Sequence, residues 1–196
     1  MSPKKNAVAS VLELVVEAGM LKQTARSGWQ VAGIKGAESV ADHSFRCAFI
    51  GYALASMEGV SAYRVLLMTL FGDLQEARTG DLHKMAQTYI PTEGAEDEAF
   101  FAQIKDLPGG MSRELAKARR EYRAQKTKES IIARDADILE CLIQAKEYYE
   151  QGFLQAKKLT RIAPRFLKTA SARAVWRKAK SAPLNDWWLK LATFTR

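Results

Sequence analysis

Phe71-Gly-Asp73-Leu-Gln-Glu76-Ala-Arg-Thr-Gly-Asp81 closes an apolar run, Val65-Leu-Leu-Met-Thr-Leu-Phe71, and sets three carboxylates within nine residues. If residues 65–78 form one helix, Asp73 and Glu76 stand three apart on one face. Thr79-Gly80-Asp81 then reads as the helix stop. Gly80 suits a positive φ there, so Asp81 can fold back toward the other two acids. Acids at the end of a buried helix are either a solvated terminus or a set held by a cation, because a buried charge is costly unless paired or metal-bound. Two further polar groups interrupt apolar sequence, Asp42-His43 and Asp135-Ala-Asp137. Polar groups on three helices can converge on one site.

The periodicity around this stretch is helical. Residues 7–24 read as an amphipathic helix with Val8, Val11, Leu12, Val15, Val16 and Met20 at 3.6-residue spacing. Residues 40–57 read as a second helix, with Ser39 as N-cap and Asp42 completing a box-like start. Phe45, Ala48, Phe49, Tyr52 and Ala53 form its expected buried face. Residues 62–78 are the central helix, and further helices are expected over 95–107, from the cap Ser112 to 124, and over 127–151 up to Gly152. Asp135 and Asp137 lie on this last helix and, two apart, cannot face the same way. The tail, 153–196, reads as shorter helices around Pro164 and Pro183, with Trp176, Trp187 and Trp188 as packing anchors. No alternating β-branched run, hairpin dipeptide or internal repeat occurs. The expected fold is all-α, a single-domain helical bundle of about six to eight helices over residues 1–196, with core motifs in 8–152 and a C-terminal extension, 153–196.

The 196 residues suffice for one substantial core. The hydrophobic fraction is 47%, yet no run approaches the ~18 apolar residues of a membrane span. The start, residues 1–6, leads into a stretch bearing Glu13 and Glu17 and has no uncharged core of signal-peptide length. Cys47 and Cys141 both sit in apolar helical context and read as reduced thiols of a cytoplasmic protein, although a bridge is open to the sequence alone. The 30 Lys and Arg against 22 acids give a net charge of +8 and permit anionic partners. Arg119-Arg120 and Arg177-Lys178-Ala-Lys180 belong to no nucleic-acid motif, so they read as solvated helix faces and nucleic acid is not the expected partner.

A metal site for phosphate ester hydrolysis needs imidazole and carboxylate ligands with open positions. The ion polarises a phosphoryl oxygen and lowers the pKa of a water. His43, Asp73 and Asp137 sit on three different helices, as ligands of bundle metal sites do, though a histidine packed in the core is the alternative from spacing alone.

Three segments taken together, Glu38-Ser-Val-Ala-Asp-His43-Ser-Phe-Arg46, Gly72-Asp73-Leu-Gln-Glu76-Ala-Arg-Thr-Gly-Asp81 and Arg134-Asp-Ala-Asp137-Ile-Leu-Glu, resemble the HD-domain metal-dependent phosphohydrolases, on the branch containing the 5′-deoxynucleotidases. Trp29, fourteen residues before His43, and the late Trp187-Trp188 pair match that branch as well. The resemblance implies one divalent ion (Mn, Co, Mg or Zn) held by His43, Asp73 and Asp137. It implies Glu76 and Asp81 as acids serving the attacking water, Trp29 as the residue at the deoxyribose, and a homodimer acting on a deoxyribonucleoside 5′-monophosphate. Asp135 is then a surface or capping acid. The chain departs from the pattern at Gly72, which stands where the family has its second histidine. His83 lies beyond the turn at Gly80 and is not expected to replace it. Cys47 and Cys141, each one turn from a ligand, are possible thiolate substitutes, with plain packing preferred. A second departure is Gly28, where some members have arginine; phosphate binding then falls to Arg26 or Arg46. The alternative for Arg46 is an ion pair with Asp42 or Glu38. A degenerate member, poor in metal and binding a nucleotide or a protein, is the competing reading. Restoring histidine at 72 separates the two if the rest of the site is intact.

Overall fold

The computed structural model describes residues 6–191; residues 1–5, the start of the stretch read above for a leader, and 192–196, the end of the tail, lie outside the described residues. In chain order the α-helices are α1 (Ala7–Ala18), α2 (Ser27–Val31), α3 (Val40–Glu58), α4 (Ala62–Leu70), α5 (Glu76–Thr79), α6 (Lys84–Gln87), α7 (Glu93–Ile104), α8 (Met111–Ala124), α9 (Lys128–Glu150), α10 (Lys157–Ile162) and α11 (Ala170–Ser181). Seven of these run to nine residues or more, within the expected six to eight. Among the described residues there is no sheet, only an isolated antiparallel bridge between Ala25 and Ser39. None of the described helices is long and apolar enough to cross a membrane.

The centre is α3 and α4 packed on α9. Each start is chemically fixed. Ser39 Oγ accepts from the Asp42 amide while the Asp42 carboxylate accepts from the Ser39 amide, and Thr127 and Ser130 do the same for α9. Leu54 and Ala55 of α3, Val65 and Met68 of α4, and Ile132, Ala136, Leu139 and Leu142 of α9 form the main core. Gly51 permits the close approach of α3 and α4: a Cβ there would stand 3.0 Å from the side chains of Val65 and Thr69. A second cluster, Leu14, Leu74, Phe100, Ile104 and Leu115, joins α1, α7 and α8 to the turn after α4.

That turn corrects the sequence reading. Residues 62–78 are not one helix: α4 ends at Leu70, and tight turns, with Leu74 N–H bonded to Phe71 C=O and Glu76 N–H to Asp73 C=O, lead into α5. Leu74 is thereby buried in the second cluster. The buried Arg119 of α8 holds the turn, donating Nη1 to the Gly72 carbonyl at 2.8 Å and to Gln75 Oε1 at 3.1 Å. Its guanidinium lies over the Phe100 ring and its Nε donates to Asp97. Arg119 is therefore no solvated face, whereas Arg120, Arg177, Lys178 and Lys180 are exposed as expected.

Several apolar side chains also face the other way from expectation. On α1, Val8, Leu12, Val15 and Val16 are exposed, as is Met20 just beyond it, while Ser10 and Leu14 are buried. On α3, Phe45 is 72% and Phe49 70% exposed, with Tyr52 and Ala53 beside them; only Ala48 of the expected face is buried. The buried stripe is Val40, His43, Ser44, Cys47, Ala48, Gly51, Leu54 and Ala55. Trp176 anchors α11, but Trp187 and Trp188 are exposed. Ser112 is not a cap, since Gly110 precedes α8.

Asp135 is a capping acid, though a fully buried one. Its carboxylate accepts from the Lys168 amide at 2.9 Å, the Thr169 amide at 2.6 Å and the Thr169 hydroxyl at 2.7 Å, fixing the start of α11. Asp135→Ala strands these donors and should lower stability by about 2–3 kcal/mol, measured by urea unfolding. A Cβ on Gly72 would lie 2.8 Å from the Met68 carbonyl oxygen, a backbone atom that cannot rotate away. Gly72→Ala should therefore cost about 1–3 kcal/mol in the same measurement, although it removes no contact.

Candidate active site

Four segments meet beside the N-terminal half of α3. The Arg26 amide donates to the Glu38 carbonyl at 3.1 Å and the Val40 amide to the Thr24 carbonyl at 2.8 Å, which lays residues 24–29 along the start of α3. His43 comes from the first turns of α3, Asp73 from the turn after α4, Glu76 from α5 and Asp137 from α9. Gly80, at φ 70°, reverses the chain as expected, and Asp81 folds back until its Oδ2 accepts from the Ser27 amide at 2.8 Å. His43 Nε2 lies 3.4 Å from Asp73 Oδ2 and 3.3 Å from Asp137 Oδ1. The three residues expected as ligands are thus brought together.

Behind His43 stands Glu140, fully buried, with Oε2 2.5 Å from His43 Nδ1. Glu140 takes the Nδ1 side of the ring, so Nε2 is the nitrogen that faces the aspartates, an orientation that outer partners of metal-bound histidines impose. Arg46 completes this layer: Nε and Nη2 donate to Glu140 Oε1 at 2.9 and 2.7 Å, and Nη1 to Glu147 at 2.7 Å. Its partners are therefore neither Asp42 nor Glu38, and it does not line the cleft described next.

The site opens into a cleft of about 1180 Å³ whose lining includes Arg26, Trp29, Asp73, Glu76, Asp81 and Asp137. Arg26 is the cation at its floor. Its Nη1 is 3.9 Å from both Asp73 and Asp81, and its Nη2 donates to Cys141 Sγ at 3.3 Å. Lys84, Arg123, Arg134 and Lys158 add positive charge to the wall. Trp29 is buried, edge-on to Tyr148 at 5.2 Å, with its indole N–H donating to Glu38 Oε1 at 2.8 Å, and it still reaches the cleft. His83 caps α6, its Nδ1 accepting from the Ala86 amide at 3.1 Å, and belongs to no shared donor group among the described residues.

The electrostatics are those of anions crowded with too few cations. Burial, reinforced by Asp73 and Asp81, pushes the Glu76 carboxyl up to about 10, and its buried Oε2 has no hydrogen-bond partner. Burial also raises Asp73, against the pull of His43 and Arg26. Asp137 is held well below the carboxylate range: burial opposes this, but the His43 hydrogen bond and Arg134, 3.0 Å away, outweigh it. His43 is held well above its ordinary value by Asp137 and Glu140, although burial acts the other way. Burial and Glu140 bring Glu38 to about 7, and burial pushes the Cys141 thiol up to about 11.

His43 paired with either aspartate has the spacing of two ligands on one divalent ion, although Asp73 and Asp137 are not within 4.8 Å of each other. Two ligands about 2.1 Å from a shared centre at the tetrahedral angle stand about 3.4 Å apart, the spacing His43 Nε2 keeps from each aspartate. Two groups of donors lie within 4.8 Å of one another, His43–Asp137–Cys141 and Glu38–His43–Glu140. In the second, Glu140 is engaged by Arg46 and His43, and Glu38 by Trp29. The first is the group that opens onto the cleft, through Asp137 and Cys141, and Asp73 reaches its histidine from outside it.

Sequence reasoning missed Glu140 as the partner of His43 and did not place Cys141 in the cleft. Both lie within one turn of Asp137, and an acid three residues after a ligand on a buried helix was the available signal. For Arg134 and Tyr122, whose hydroxyl accepts from Arg134 at 3.2 Å, no pattern in the sequence points to the site. Gly72 contributes no donor, and the closeness of Met68 O bars a side chain there. Histidine at 72 would have to displace that carbonyl before it could reach the site, so it is no clean restoration.

Comparison with known proteins accords with this geometry. The profile of the HD domain matches residues 18–176. The 5′-deoxynucleotidase HDDC2 of Dictyostelium discoideum is 30% identical over 152 residues, covering 74% of this chain and 80% of that protein. The Homo sapiens 5′-deoxynucleotidase HDDC2 is 29% identical over 142 residues, 71% of this chain and 68% of its own length. A solved structure, a conserved hypothetical protein from Pyrococcus furiosus, superposes with a TM-score of 0.69 at 32% identity, covering 87% of this chain and 99% of that one. The chain belongs to the HD-domain family of metal-dependent phosphohydrolases, on a branch related to the 5′-deoxynucleotidases.

Proposed function

We propose that this protein is a divalent-metal-dependent phosphohydrolase of small nucleotides and that its substrate is a deoxyribonucleoside 5′-monophosphate. The observation that carries the reading is the pair of carboxylates on Nε2 of a buried histidine, in a cleft that also holds the Arg26 guanidinium. His43, Asp73 and Asp137 would hold the ion, which would supply Lewis acidity toward a phosphoryl oxygen and a water of lowered pKa. Arg26, already facing Asp73 and Asp81, orients the phosphate. Glu76, with one oxygen unpartnered, would take the proton of the attacking water once a bound divalent cation offsets the charge of Asp73 and Asp81 and returns its carboxyl to the ionised range, and Asp81, held by the Ser27 amide, would assist it. Trp29 packs against the sugar. Arg46 does not touch substrate in this scheme but holds Glu140, and through it the ring of His43. Two free cysteines suit a reducing compartment, the cytoplasm. The absent ligand at Gly72 favours one competing reading, a nucleotide-binding protein that does not hydrolyse.

Loading with Mn²⁺, Co²⁺ or Zn²⁺ followed by dialysis should leave about one ion per chain by elemental analysis, lost in His43→Ala and Asp137→Ala and kept in Asp135→Ala. Phosphate release should then be found with deoxyribonucleoside 5′-monophosphates, and Glu76→Gln should lower kcat by about 10²–10⁴ without loss of metal. Nucleotide binding without phosphate release would establish the non-hydrolytic reading instead.

The large exposed apolar side chains on α1 and on α3 support a homodimer, because exposed apolar patches mark interaction sites. Sedimentation should give a dimer for the wild-type chain and a monomer for the Phe45→Glu, Phe49→Glu double variant. A wild-type monomer at all concentrations would remove this part of the reading.

A further inference from the structure

Cys141 follows Asp137 by four residues on α9, so the two side chains leave the helix on one face, the spacing by which a helix presents two ligands to one ion. Its sulfur belongs to the tight donor group with His43 and Asp137, whereas Asp73 stands outside that group. It lines the cleft, and Arg26 Nη2 points at it from 3.3 Å, placing a fixed positive charge where a thiolate would need one. The other cysteine shares the four-residue spacing and none of the rest. Cys47, one turn after His43, is sealed in the main core, does not line the cleft and belongs to no shared donor group among the described residues. Meanwhile the position that lacks its imidazole, Gly72, is closed to any side chain by the Met68 carbonyl.

We propose that Cys141 is a metal ligand, binding as the thiolate beside His43 and Asp137, with Asp73 approaching the same histidine, and supplying a donor in place of the one that Gly72 lacks. The proposal rests on the metal-dependent reading above and specifies its donor set. On binding, the thiol proton leaves to solvent as the sulfur–metal bond forms. A soft sulfur donor shifts preference toward Zn²⁺ and Co²⁺ and away from Mg²⁺ and Mn²⁺, which oxygen ligands serve better. Arg26 offsets the additional negative charge, so the same guanidinium serves the ligand sphere and the phosphate.

The test uses the full-length protein loaded with Co²⁺. A near-ultraviolet sulfur-to-cobalt charge-transfer band is expected for wild type and Cys47→Ala and should vanish in Cys141→Ser. In that variant Zn²⁺ affinity should fall at least about 100-fold, since even outer-shell changes cost 10- to 100-fold, while Mg²⁺ affinity changes little. Circular dichroism checks that the variant folds. Independently of any variant, Zn²⁺ should protect Cys141 of the wild-type chain from alkylation, read by mass spectrometry. One cobalt per chain with no band, or Cys141 alkylated equally with and without Zn²⁺, overturns the thiolate ligand and leaves the metal-dependent phosphohydrolase standing. Failure of the wild-type chain to retain cobalt at all overturns both.

Discussion

A carboxylate shut away from solvent governs the centre of this protein. Glu140 lies on the buried side of α9, where an uncompensated charge would cost several kcal/mol. Its two oxygens are divided between two residues of α3, Oε1 taking the Arg46 guanidinium and Oε2 the Nδ1 face of His43. Residues 43 and 46 are three apart, so both reach the same point on α9 only at one register of the two helices. The pairing that neutralises Glu140 therefore also fixes how α3 lies on α9, and it commits Nδ1 of His43 so that Nε2 faces the cleft. Asp137, one turn before Glu140, is carried to that nitrogen by the same register. Helix packing and site assembly are here one constraint.

Much of this was legible where the cause is local. The Ser39–Asp42 box, the reversal at Gly80 and the opposite directions of Asp135 and Asp137 all follow from spacing of two to four residues, and each is present. The illegible features have distant causes. The helix break after Leu70 is held by Arg119, some fifty positions on, and by the burial of Leu74 against α1, α7 and α8. Arg46 finds Glu140, 94 residues away, rather than the acids next to it in sequence. The faces of α1 and α3 were misread for another reason. Apolar residues are assigned inward by periodicity, but burial is a one-way rule, and large apolar side chains can be left outside. In α3 the inward stripe between Val40 and Leu54 is made of small residues and His43, which carry little hydrophobic signal, while Phe45 and Phe49 carry a strong one and point to solvent.

Gly72 joins the two kinds of cause. From the sequence it is a missing ligand, and the loss reads as decay of the site. In the fold it is also a backbone requirement: with Met68 O 2.8 Å from where a Cβ would sit, and its own carbonyl held by Arg119, the turn that carries Asp73 has settled into a path that a side chain at 72 would have to shift. Asp73 depends on that path for its place beside His43. The position therefore cannot regain an imidazole without moving the carboxylate next to it. A donor to replace it has to come from another element. Of the elements at hand, α9 already faces the cleft through Asp137, and one turn further along the same face it presents a sulfur with an arginine beside it. Loss of a ligand on a constrained turn and its recovery on a rigid helix would leave the geometry around His43 unchanged while altering which ions it prefers.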